Sequence, residues 1–157
     1  MLDAKTQSKR VQMILRDEAL RQALVAAFAD CGFSIVETGA DTLVLDAGGA
    51  GADAITLATL APYALEAIAK FSRQSAQAQR SIILVAGAAG PAREALNGGV
   101  RALARSLAPG LRVNALTPLH AGEAMDVEQA GMAAAYLANA GAVTGQIIEI
   151  AAPGSAS

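Results

Sequence analysis

A chain of 157 residues that is 54% hydrophobic, 17% charged and 3% aromatic can bury one substantial core and has little polar surface to spare. A formal net charge of −2 without a basic cluster argues against nucleic acid or an anionic membrane as partner. The single cysteine, Cys31, excludes an internal disulfide framework and fits a reducing cytoplasm.

Met1 to Arg10 is polar, with no apolar stretch of the signal-peptide kind behind it, and is expected to fray, as is the tail 152–157. No apolar run reaches the length of about eighteen residues that crosses a bilayer, so no membrane is expected as partner. Val11–Leu15 predicts a first short strand. Asp17 can cap a helix over Glu18–Asp30 that sets Leu20, Leu24, Ala27, Phe28 and Cys31 on one face, and Gly32 closes it. Strands follow at Phe33–Val36 and Thr42–Leu45. The glycines Gly48, Gly49 and Gly51 lead into a long helix, about Asp53–Gln77, with Pro62 placed to bend it.

From Ser81 the pattern is strand, helix, strand. Ile82–Val85 is a continuous apolar run. Beyond Gly87, Gly90 and Pro91, the residues Leu96, Val100, Leu103, Ala104 and Leu107 recur at helical spacing, and Pro109-Gly110 stops that helix before a strand through Val113, Ala115 and Leu116. A helix over Val127–Asn139, with Val127, Ala130, Ala134 and Leu137 on one side, and a last strand over Gln146–Ile150 complete the chain. Alternation of this kind specifies one three-layer α/β domain over 1–157, built from βαβ units with helices on both faces of a parallel sheet. Only Glu37–Asp41 separates the second and third strands, too few residues for a crossover helix.

Ala95-Leu96, Arg101-Ala-Leu-Ala, Leu107-Ala-Pro109, Arg112-Val-Asn114-Ala and Pro118 resemble the core of a short-chain dehydrogenase/reductase. Val143-Thr-Gly-Gln146 with Gly154 is similar to that family's closing segment, and Leu43-Val-Leu-Asp-Ala-Gly48 to its Asn-Asn-Ala-Gly strand end. The resemblance runs from about Val11 onward. It implies a Rossmann-like parallel sheet, here shortened by a strand-helix pair between Val36 and Leu43.

The resemblance also implies where chemistry belongs. A glycine-rich turn should follow the first strand, since glycines let the backbone approach a dinucleotide pyrophosphate at a helix N-terminus. This chain has Leu15-Arg-Asp-Glu-Ala-Leu-Arg-Gln22 there, with Asp17 and Glu18 where the anion would sit, although Arg16 and Arg21 lie close by. Gly48–Gly51 follows a different strand and lacks the fingerprint spacing. The family's Tyr, Lys and Ser map onto Ala89, Arg93 and Gly87 or Ala86, and its helical Asn onto Ala58. Tyr63 and Tyr136 fall inside helices, as core or interface residues. His120 is the sole histidine and is read as a loop residue, and no metal cluster can be assembled.

The expected catalytic, cofactor-binding and metal residues are therefore none, and the expected cofactor is none. Two small-residue faces remain, Ala95, Gly98, Gly99 and Ala102 on one helix and Ala58, Ala61, Ala64 and Ala67-Ile68 on another. They serve either packing on the chain's own sheet or association, since the resemblance implies that these helices form a subunit interface. The function expected is that of a non-catalytic, cytoplasmic subunit that pairs with a full-length active short-chain dehydrogenase, one acting on hydroxyacyl or oxoacyl thioesters by analogy. The alternatives are a minimal NAD(P)-dependent oxidoreductase with an atypical site, or a self-associating ligand-binding or scaffold homodimer.

Overall fold

The computed structural model describes residues 9–48, 54–74, 80–86, 91–120 and 123–155. Six strands and four helices alternate: β1 (Lys9–Ile14), α1 (Glu18–Asp30), β2 (Phe33–Ile35), β3 (Thr42–Gly48), α2 (Ala54–Arg73), β4 (Arg80–Ala86), α3 (Pro91–Leu107), β5 (Leu111–Pro118), α4 (Val127–Asn139) and β6 (Ile147–Ile150). All neighbouring strands are parallel, in the order β2-β1-β3-β4-β5-β6. The fold is the Rossmann-like α/β sheet expected, with one correction at its N-terminal end. Lys9 and Arg10 are not frayed, because β1 begins there and pairs with Phe33 and Ser34. At the other end, Ser155 closes a turn on Ala152.

The central strands are covered on both sides, so they read as continuous apolar runs. Every residue of β4 and β5 is buried. Leu43, Leu45, Ile82, Leu84, Val113 and Ala115 meet α2 and α3 on one face, while Val44, Ile83, Val85 and Leu116 meet α1 and α4 on the other. Helix α1 buries Leu20, Leu24 and Phe28 as its 3.6-residue period requires, with Phe28 edge-on to Phe33 at 5.0 Å. Cys31, expected on that face, is instead the exposed C-cap, one residue beyond the last buried turn. Val127, expected on the packed side of α4, sits exposed in its first turn.

Register explains how a six-residue link joins β2 to β3 without a helix. The three residues of β2 pair only with Lys9–Val11, and β3 begins opposite Val11 on the other side of β1. The end of β2 and the start of β3 thus stand at the same height, and the link has only to step across β1. Val36 N–H donates to Val11 O at 2.9 Å and Asp41 N–H to Arg10 O at 2.8 Å. Val36 and Ala40 pack into the α2 side, and Asp41 accepts from Arg10 N at 3.0 Å and pairs with its guanidinium at 3.5 Å.

Helices α1 and α4 lie unusually close. A Cβ built on Gly131 would stand 3.0 Å from Ala27 Cβ and 3.1 Å from Ala23 O, so only glycine fits that crossing without displacement. Gly131→Leu is expected to lower stability by about 3 kcal/mol through overpacking, read as a drop in the urea midpoint.

Candidate functional site at the carboxyl edge of the sheet

Because the strands are parallel, their carboxyl ends share one edge, and ligands of open α/β sheets bind there where the strand order reverses. In this chain the reversal falls at β1, flanked by β2 and β3. β1 ends at Ile14, and three residues later Asp17 takes an extended conformation with its Oδ1 accepting Leu20 N–H at 3.0 Å. Its carbonyl accepts Arg21 N–H at 2.9 Å. Glu18 accepts Gln22 Nε2 at 3.1 Å and lies 3.9 Å from Arg21 Nη1, so that arginine stands beside a carboxylate of its own helix.

The positive end of the α1 dipole therefore already holds an anion, supplied by the chain. Among the described residues this helix start does not fit a dinucleotide phosphate. One of its free N–H groups is taken by the Asp17 carboxylate, a second carboxylate, Glu18, stands in its first turn, and no glycine stands between Leu15 and Cys31. Gly49–Gly51 and Gly87–Gly90 lie outside the described residues.

Of the positions mapped from the family's catalytic set, Ala86 is the fully buried last residue of β4 and Ala58 falls within α2. Gly87 and Ala89 lie outside the described residues. Arg93, in the first turn of α3, donates to Thr117 Oγ1 at 3.4 Å and to Leu119 O at 3.3 Å, and forms an ion pair with Glu149 of β6. Its role in this geometry is to tie α3 to the ends of β5 and β6. Tyr136 is 58% exposed on α4, which removes it from the core, and Tyr63 lies in α2. His120 is exposed in the bend after β5. Among the described residues no group of three or more His, Cys, Asp or Glu is placed to hold a metal.

The other sequence motifs do structural work. Arg112 is buried, and its guanidinium donates to Leu137 O and Ala140 O, both at 2.7 Å, and to Ala138 O at 3.0 Å. It thereby satisfies the free carbonyls at the C-terminus of α4. Arg80, at the start of β4, does the same for α2 on the opposite face. It donates to Gln74 O at 2.8 Å and to Phe71 O, with its guanidinium 3.9 Å from the Phe71 ring centroid. Burial pushes the pKa of both guanidiniums below the ordinary arginine value, and nearby Asp41 partly offsets this for Arg80.

Asn114 donates to Val143 O and accepts Gln146 N–H, both at 3.0 Å, while Val113 N–H donates to Thr144 Oγ1 at 3.0 Å. Gly145, at φ +74°, turns back to donate to Val113 O at 2.7 Å. The Val-Thr-Gly-Gln segment is therefore the turn that seats β6. Sequence reasoning missed the roles of Arg80 and Arg112. The available signal was a charged residue at the mouth of each of two fully buried strands, where it must find acceptors.

A family model described as SDR-like, short chain dehydrogenase-like protein, matches residues 38–150, more than half of the chain. The chain belongs to the short-chain dehydrogenase-like family. BdcA (YjgI) from E. coli is similar over 90% of this chain and 97% of its own, at 23% identity and a TM-score of 0.70. A short-chain dehydrogenase/reductase (glucose/ribitol dehydrogenase) from Brucella melitensis aligns over 92% of this chain and 95% of its own, with 17% identity and a TM-score of 0.64. FolM alternative dihydrofolate reductase 1 from Brucella suis, solved with NADP, aligns over 91% and 93% at 15% identity and a TM-score of 0.64. At these identities the structures establish the fold. No curated protein matches the chain significantly.

Proposed function

We propose that this chain is a non-catalytic member of the short-chain dehydrogenase-like family that assembles in the cytoplasm with a full-length, active dehydrogenase of the same family. In that complex it supports or modulates the partner, which by analogy acts on a hydroxyacyl or oxoacyl thioester. The observation that carries the reading is on α3. Ala95, Gly98, Gly99 and Ala102 are all exposed, and a Cβ added to Gly98 or Gly99 would meet nothing within 4 Å. Each mid-helix glycine costs about 1 kcal/mol relative to alanine, and no contact among the described residues requires either. A helix from another subunit packing closely on this face supplies the missing reason, as small residues let backbones approach.

By contrast, the described small residues of α2, Ala64 and Ala67 with Ile68, pack on the chain's own core. Support on the chemical side comes from Asp17, which occupies the phosphate position of α1. Calorimetric titration of the isolated chain with NADH and NADPH tests the reading. No binding tighter than about 1 mM is expected, whereas micromolar affinity, worth about 8 kcal/mol of contacts, would favour the minimal oxidoreductase instead.

A further inference from the structure

The short step from β2 to β3 leaves a cleft of about 250 Å³ on the α2 side of the sheet. Ile14, Leu43 and Phe71 give it an apolar floor; Glu37, Glu66 and Lys70 stand exposed on its rim. Gln12 and Gln74 bring two amides to its walls. The backbone of Gln74 is fixed, because its carbonyl accepts from the buried Arg80, yet its side-chain Oε1 is buried and accepts no hydrogen bond from any of the described residues. A buried acceptor without a donor is unfavourable, and a bound N–H group removes that penalty. Two carboxylates against one ammonium favour a donor that is also positively charged.

We propose that this cleft is a binding site for a compact organic cation: a flat apolar body that fills the floor, bearing an amidinium or ammonium group that donates to Gln74 Oε1 and faces Glu37 and Glu66. The volume suits a molecule of about ten non-hydrogen atoms, at the small end of ligand sites. The proposal is independent of the assembly role, since it uses no residue of α3 and none of the start of α1.

Three probes of one shape and different charge test it: benzamidine, benzamide and benzoate, titrated into the ¹⁵N-labelled full chain to about 10 mM and followed by amide shifts. Benzamidine is expected to shift Gln12, Lys70 and Gln74 saturably, benzamide about tenfold more weakly, and benzoate not at all. Gln74→Leu, of similar volume, should weaken benzamidine and benzamide alike by about tenfold, while Glu66→Gln should weaken benzamidine alone. A well-dispersed spectrum for each variant shows that the fold is kept. Absence of saturable shifts with benzamidine, equal binding of benzoate, or benzamidine binding unchanged by Gln74→Leu would each overturn the proposal.

Discussion

Arg112→Met is expected to cost the fold about 4 kcal/mol, which at an m-value of about 2 kcal/mol per molar lowers the urea midpoint by about 2 M. Methionine keeps much of the apolar stem but supplies no donor. The carbonyls of Leu137, Ala138 and Ala140 would then lose their common partner at a position where water has poor access. Ala140 O keeps the Val143 N–H at 3.0 Å, but a buried backbone acceptor left unpaired costs about 1–3 kcal/mol, so those of Leu137 and Ala138 together outweigh the desolvation that the guanidinium no longer suffers. Hydrogen exchange should show protection lost first in the last turn of α4. Arg101, exposed on α3, provides the control, and Arg101→Met should change stability by less than about 0.5 kcal/mol. If the two substitutions prove equally mild, the buried arginine is not what holds α4.

Gly98→Ala combined with Gly99→Ala should raise the stability of the isolated chain by about 1–2 kcal/mol. Both positions lie inside a 17-residue helix, neither has a positive φ, and an added methyl group meets nothing. Gly98→Leu with Gly99→Leu should fold as well, for the same reason. In the complex the order inverts: leucines on a face that must admit a close helix should weaken assembly at least about 100-fold, or about 3 kcal/mol. Sedimentation of the co-expressed complex measures the second effect and thermal unfolding of the lone chain the first. Assembly untouched by the leucines would remove the reason given for both glycines.

Periodicity made most of the fold legible. Helices α1 and α4 run over the residues expected, because Asp17 and Asp126 accept N–H groups at 3.0 Å and mark the N-termini in chemistry as well as in pattern. Strand ends were less legible. The sequence placed β1 from Val11, but Lys9 and Arg10 are held by pairing with β2, a long-range contact that leaves no local mark. Helix α2 stops at Arg73, four residues short of the expected Gln77, where Arg80 takes its last carbonyls.

At the carboxyl edge, the carboxylate cap could be read directly, since an Asp before a helical run has one common use. The Arg93–Glu149 pair could not be, because it joins residues 56 apart in sequence. Nor could the orientation of α3. Small residues fit equally well against a sheet or against another molecule, and only the folded chain turns Gly98 and Gly99 outward.

The most direct test is native mass spectrometry of the protein isolated from its own host, with each component sequenced. A complex containing a second, longer polypeptide of the short-chain dehydrogenase-like family is the predicted result, and it should be lost when Gly98 and Gly99 are leucines. A species made of this chain alone that carries a bound nicotinamide dinucleotide would contradict the account.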